Sequence, residues 1–302
     1  MHEGLRPRSR PFFVWAALLL LASPLAAQEP ARPWLGWRTL ETAHYRFHFT
    51  PGLEEWTRDV ASHVESIDSA IAAQVGYTPD EPIHVVVDDP YGIPNGYALP
   101  FIDRPVSVWW ASPPNPRDDV GNLVSWGDML ASHELTHIAH MSRPSRNAFS
   151  RQFWQSMPVN IGPIMYEAPR WLYEGYATVV EGRVTGTGRP HGVWRPAMLR
   201  QWAIEGHLPT YGELNAWGDF EGGEFAYLGG SAFLEWLASH EGDSSLVFLW
   251  RRMTARKMRS FALSASERAL AGVQNAKAIT IMRMDKKECL RIHHLINAYC
   301  MR

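Results

Sequence analysis

In His44-Tyr45-Arg46-Phe47-His48-Phe49, large apolar residues alternate with polar ones. A period of two over this stretch predicts a half-buried strand within residues 34–50. Pro51-Gly52 breaks it, and over residues 53–75 the period lengthens. Val60, Val64, Ile67 and Ile71 recur every three or four positions, the stripe of an amphipathic helix. Residues 83–87 form a short β-branched strand stopped by Asp88-Asp89-Pro90. Residues 97–101 and 106–110 read as further strands, which Pro100 and Pro105 limit to edge positions. A proline-rich loop, residues 111–116, leads into an apolar, helix-like run over residues 122–141. Residues 141–167 carry no clear period. A helix follows over 169–181, with Pro169 suited to its first turn, and another over 231–240. This order predicts an α+β fold: a small mixed β-sheet with helices, followed by a mainly helical subdomain.

Composition adds limits to this picture. A chain of 302 residues, 46% hydrophobic and 20% charged, can bury a sizeable core. A net charge of −2 argues against nucleic acid as a partner, because such binding draws on phosphate neutralisation. The fourteen Trp read mainly as core and rim packing. No Lys precedes Lys257 and no Cys precedes Cys289, so any metal in the body of the chain must be held by His and carboxylate. Arg6, Arg8 and Arg10 precede an apolar run over 12–22, and 23–27 offers a cleavage region. Residues 1–27 are therefore expected to be a secretory signal peptide, with an uncleaved anchor as the alternative, giving an exported chain, periplasmic or extracellular, with no stable membrane insertion after cleavage. From about residue 275 Lys and Cys appear together. Residues 275–302 read either as a truncated, atypical tail or as an ordinary C-terminal helix. The expected domains are thus 1–27, an N-terminal mixed α/β subdomain over 28–142, a mainly helical subdomain over 143–274, and the tail.

The chemistry centres on His133-Glu134-Leu135-Thr136-His137. Four residues is about one helical turn, so His133 and His137 can aim two imidazoles at one ion. Glu134, rotated about a quarter turn, can reach a metal-bound water without binding the metal. Glu174, beside Gly175 on the next helix, is the third-ligand candidate, and Gly175 would let two helices approach closely. His44 and His48 read as polar-face strand residues, and His140 as a cation at a helix C-terminus.

H-E-L-T-H followed by W-L-x-E-G-x-A-x-x-x-E resembles the gluzincin zinc metallopeptidases, in particular their aminopeptidase N-like and peptidase-MA-like branch. The resemblance covers about residues 38–260 and implies a thermolysin-like zincin architecture. It implies one Zn2+ per chain on His133, His137 and Glu174, with Glu134 as general base. Glu181 matches a recurrent downstream acid, either beside the ligands or a solvated helix residue. Ala226-Tyr227-Leu228-Gly229-Gly230 is similar to the family's Tyr-x-x-Gly element, whose tyrosine donates to the oxyanion. Tyr227 is equally readable as a packing residue at a helix entry, and His191 and His207 are alternative donors. Thirty-six residues separate His137 from Glu174, about twice the family's usual gap, and the glycine-rich motif that anchors a free amino terminus is missing. In related exported proteins a β-propeller partner domain often follows; this chain has no room for one.

The leading expectation is an exported zinc-dependent metallopeptidase acting on a peptide or protein substrate. An extended substrate would lie along the edge strand, with Asn95, Gly96 and Tyr97 as cleft candidates; an ordinary proline-blunted edge is the alternative. The other readings are an idle binding or assembly module on the same fold, and a zinc hydrolase of a non-peptide amide or ester.

Overall fold

A computed structural model describes residues 32–99, 105–157, 160–206, 209, 211–215 and 220–255. The expected signal peptide and tail, residues 100 and 101 of one expected strand and His207 lie outside the described residues. Residues Met1–Trp37 and Arg38–Arg302 form two separate compact units. In the described part of the first, the Trp37 indole donates to the Arg32 carbonyl at 2.9 Å. Everything below concerns the second.

Five strands build one sheet: β1 (Arg38–Glu41), β2 (Tyr45–Phe49), β3 (Ile83–Asp88), β4 (Gly96–Leu99) and β5 (Val106–Trp110), in the order β1-β2-β3-β5-β4. The central strands β2, β3 and β5 run parallel, and both edges are antiparallel. The mixed sheet agrees with the sequence expectation, with two corrections. Strand β1 has no apolar alternation of its own; it forms because its backbone pairs with β2, with Arg38 opposite Phe49. Strand β5 is interior, not an edge. Pro105 precedes the strand and needs to supply only its carbonyl, which accepts from the His84 N–H at 3.0 Å. Strand β4 is the edge.

The alternation in β2 is realised: Tyr45, Phe47 and Phe49 are buried while Arg46 and His48 are half-buried. The buried set faces helix α1 (Glu54–Val75), whose stripe is Val60, Val64, Ile67 and Ile71. The Tyr45 hydroxyl donates to Asp68 at 2.7 Å, so the one polar tip in this layer is satisfied. Helix α1 ends on Gly76 at φ +70°, a left-handed position that favours glycine. The polar-face histidines find local partners: His44 meets Glu65 at 2.7 Å, and His48 meets His84 at 2.9 Å.

Helix α2 (Trp126–Ser142) starts four residues later than the apolar run, at a Ser125 cap that accepts from the Asp128 N–H. All but Asp128 and Met141 of its residues are buried. It crosses α1 where Gly127 lies against Val60, a contact that leaves no room for a Cβ. The stretch without clear periodicity holds two short helices, α3 (Ala148–Gln155) and α4 (Pro163–Glu167). Helix α5 (Arg170–Thr185) follows, then α6 (Trp194–Glu205), α7 (Tyr211–Asn215), α8 (Phe220–Glu241) and α9 (Ser244–Thr254).

Helix α8 begins eleven residues before the expected start at 231, so Tyr227 sits inside it and not at its entry. Gly222, Gly223, Gly229 and Gly230 lower the local helix propensity and hide the helix from sequence. Packing recovers it. At the α5–α8 crossing, a Cβ on Gly175 would lie 2.5 Å from the Gly230 backbone, and one on Gly230 would strike the Trp171 carbonyl. Both glycines are needed for the backbones to meet.

His140 corrects another expectation. It is fully buried, its ring 4.1 Å from that of Trp250 and stacked on Tyr176 at 4.6 Å. Burial first, then His137 and Arg143, hold its pKa well below the ordinary value. It is a neutral core residue and not a helix-terminal cation.

Substituting Gly175→Ala should separate α5 from α8. Denaturant unfolding is expected to show a loss of about 1–3 kcal/mol, the range for overpacking a tight core. An unchanged midpoint would show that the crossing tolerates a methyl group.

Candidate metal centre

Near its middle, α2 carries His133, Glu134 and His137, with 4%, 6% and 5% of their surfaces exposed. A buried polar stripe on a helix requires partners, because an unpaired buried charge is costly. Helix α5 supplies them by crossing α2 and placing Glu174, itself 7% exposed, opposite the imidazoles. Three donor atoms then converge. Glu174 Oε2 lies 3.0 Å from His137 Nε2 and 3.4 Å from His133 Nε2, and the two Nε2 atoms are 3.2 Å apart. Among the described residues this is the one group of three or more His, Cys, Asp or Glu side chains able to share an ion.

The spacing tests the fit of a metal. Zinc bound tetrahedrally at about 2.0–2.1 Å requires neighbouring ligand atoms about 3.3 Å apart. Sides of 3.0, 3.2 and 3.4 Å form such a face. Two neutral imidazoles and one carboxylate are also a donor set that zinc accepts, with a fourth position left open.

Electrostatics support the same reading. Burial would raise the Glu174 carboxyl, but His137 and the hydrogen bonds from both imidazoles hold it well below the usual carboxylate range. Burial would lower His133, but Glu174 and Glu181 push it up to about 9. Glu134 stays outside the triangle. Its pKa is raised, chiefly by burial. Its carboxylate borders the sheet edge, 3.2 Å from where a Cβ on Gly96 would be.

Glu181 is fully buried, not solvated. Its Oε2 lies 3.2 Å from Nδ1 of His133, the nitrogen turned away from the triangle. Such a carboxylate fixes the ring's tautomer and orientation. Tyr227, reaching in from α8, places its ring centroid 5.7 Å from that of His133. Burial, then Glu174, raises its phenol pKa, so the hydroxyl stays a proton donor. Tyr173 sets its ring edge-on to His137 at 5.7 Å.

Of the cleft candidates, Gly96 lies directly against α2, between Leu130 and Glu134. Tyr97, the next residue in an extended strand, points to the opposite face. Asn95 is exposed, and its side chain accepts from the Gly96 N–H at 2.9 Å. His191 is not in the cluster: its Nε2 pairs with the Gly182 carbonyl at 3.2 Å.

Sequence reasoning missed Arg189, which binds Glu181 at 2.8 Å and Asp119 at 3.2 Å. The signal available was Thr185-Gly186-Thr187-Gly188, a turn that returns the chain to the helix it has just left. Also missed was Glu224, hydrogen-bonded to Asp119. Burial, then Asp119, pushes the Glu224 carboxyl up to about 8.

No protein-family model matches this chain, and no curated protein matches it. Among solved structures, seven chains do. One is a two-domain M1 zinc metallopeptidase in a mutant form bound to L-tryptophan. It is 18% identical over 85% of this chain and 51% of that one, with a TM-score of 0.45. Another is an M1 zinc metallopeptidase from Deinococcus radiodurans, 18% identical over 81% and 51%, with a TM-score of 0.44. The chain spans about half the length of both.

Two measurements check the electrostatics. Glu174 and Glu181 favour the charged form of His133 in the metal-free protein, and a metal that binds this ring must displace that proton. Calorimetry at pH 7 in buffers of different ionisation enthalpy is expected to show about one proton released per ion; none would contradict the assignment. Glu224 has a folded pKa near 8, above the ordinary 4.5, so its contribution to stability is full below about 4.5 and is lost as pH rises through about 8. Relative to wild type, metal-free Glu224→Gln should gain melting temperature progressively from about pH 5 to pH 8. A constant difference would place the proton elsewhere.

Proposed function

We propose that this chain is a zinc metallopeptidase of the gluzincin type, exported and acting on a peptide or protein substrate. The observation that carries the proposal is the buried triangle of His133, His137 and Glu174, with sides of 3.0–3.4 Å and a carboxylate base next to it. Those three residues would hold one zinc ion. When bound, zinc supplies Lewis acidity, acidifying water and polarising a carbonyl.

The remaining chemistry belongs to the protein. Glu134 follows His133 directly and is outside the triangle, so its carboxylate is available as a base. It takes a proton from the attacking water and returns it to the leaving amine. Its raised pKa brings it closer to neutrality, where a group can both accept and release a proton. Tyr227 donates a hydrogen bond to the oxyanion that develops on the attacked carbonyl. His133 keeps its orientation through Glu181.

The peptide class is supported by the sheet edge. Strand β4 pairs on one side only, with β5, among the described residues. An extended substrate can add to such an edge and be held by main-chain hydrogen bonds. Gly96 presents no side chain where this strand passes Glu134, which keeps the backbone close to the base. Export is supported by the basic and apolar pattern of residues 1–27. None of the helices described is long and apolar enough to cross a membrane.

The test is a peptide-library digest read by mass spectrometry, with and without chelator. Cleavage that zinc restores after chelation is expected. Glu134→Gln should keep the metal and lose about 10²–10⁴ in rate. Tyr227→Phe should lower kcat by about 10²–10³ with little change in KM. Metal binding without cleavage of any peptide would favour an idle module or a non-peptide substrate.

A further inference from the structure

Arg189 is held more elaborately than a surface loop arginine requires. It follows α5 in a short 3-10 turn, Arg189–His191. The loop before it is pinned to the segment that leads into α2. Gly188 donates its N–H to the Asn122 carbonyl, and the Asn122 amide donates to the Gly188 carbonyl at 3.3 Å. Gly188 has φ +82° and lies against the Glu181 carboxylate, where a Cβ would collide. The loop is thereby folded back onto α5.

The guanidinium then makes three contacts at once. Its Nη1 donates to Glu181 Oε2 at 2.8 Å, and its Nε donates to Asp119 Oδ2 at 3.2 Å. Its carbon lies 4.5 Å from the centroid of the Tyr227 ring, within cation–π range. The Arg189 backbone N–H donates to the other Glu181 oxygen at 2.8 Å. Asp119 is in turn hydrogen-bonded to Glu224, which lies on α8 three residues before Tyr227. One side chain thus touches the carboxylate behind His133 and the face of the tyrosine.

We propose that Arg189 is a positioning residue that couples the metal-binding face to the oxyanion donor, locking Glu181 behind His133 while holding the Tyr227 ring in place. It acts on the metal ligands only through Glu181, and on a substrate only through Tyr227. Without it, Glu181 is a buried carboxylate lacking its guanidinium partner, free to turn from His133. Tyr227 loses the nearer of the two cations over its ring in the same step, at 4.5 Å, and keeps Arg170 at 5.2 Å. A rigid planar fork is required, because a lysine can hold one of these partners but not span both carboxylates and the ring.

This inference rests on the metallopeptidase reading for its catalytic half, and on the metal site alone for the rest. The experiment uses the full chain and its Arg189→Met and Arg189→Lys variants, each alone and combined with Tyr227→Phe. Zinc affinity is read by chelator competition, folding by the melting temperature of the metal-free protein, and turnover on a cleaved peptide. Arg189→Met is expected to weaken zinc binding about 10–100-fold, the usual effect of losing a group that orients a ligand. Arg189→Lys should restore part of that loss. In the Arg189→Met background, Tyr227→Phe should lower kcat less than about tenfold, against the 10²–10³ expected for it alone.

Unchanged zinc affinity in Arg189→Met, or a Tyr227→Phe effect of equal size in both backgrounds, overturns the coupling and leaves the peptidase reading intact. Equal loss of affinity and of melting temperature in both Arg189 variants also overturns it, as general destabilisation. Zinc binding that depends on Arg189 in a chain that cleaves nothing upholds the metal half and sinks the peptidase reading instead.

Discussion

A carboxylate buried between two imidazoles sets the terms for this molecule. Glu174, His133 and His137 are each under a tenth exposed, and none could be left there unpaired. Their facing atoms, Nε2 of each ring and Oε2 of Glu174, meet and form the face a divalent ion requires, while Nδ1 of His137 has no hydrogen-bond partner among the described residues. The constraint spreads outward through the polar groups that must be paired next. His133 has a second nitrogen, which takes Glu181; Glu181 is a second buried charge, which takes Arg189; and Arg189 takes Asp119. The polar network ends only where half-buried acids meet.

The fold serves this network by bringing helices unusually close. Helix α2 crosses α1 at Gly127, and α5 crosses α8 at Gly175 and Gly230. At each point a methyl group would push the helices apart. The second crossing matters most for the chemistry, because Tyr227 lies one turn before Gly230 on α8. Its ring reaches His133 only because the backbones meet there. The sheet contributes from the other side: β4 passes Glu134 with a glycine, so that carboxylate sits between a rigid helix and a pleated edge.

Much of this was legible in the chain. The period of two in 44–49 and the period near 3.6 in 53–75 located β2 and α1, because both elements bury one face against the other. The histidine pair four apart and the Glu-Gly on a later helix located the three side chains that cluster. Less was legible where local signals were weak or pointed elsewhere. Strand β1 has exposed residues and exists through pairing, so nothing in its own pattern announces it. Pro105 suggested an edge for β5, yet the proline only precedes the strand and leaves the ladder whole. Glycines 222, 223, 229 and 230 masked most of α8, and the aromatic surroundings that make His140 neutral come from residues 36 and 110 positions away.

The sequence alone determined the local elements and the chemical types available, since helical and strand periods and the four-residue spacing of two histidines act within a few residues of chain. Only the tertiary structure decided which carboxylates, tyrosine and arginine would surround that pair. Asp119, Glu174, Glu181, Arg189 and Tyr227 come from segments up to 108 positions apart. Their meeting depends on helix crossings and on the need to pair buried charge, both of which are properties of the packed whole.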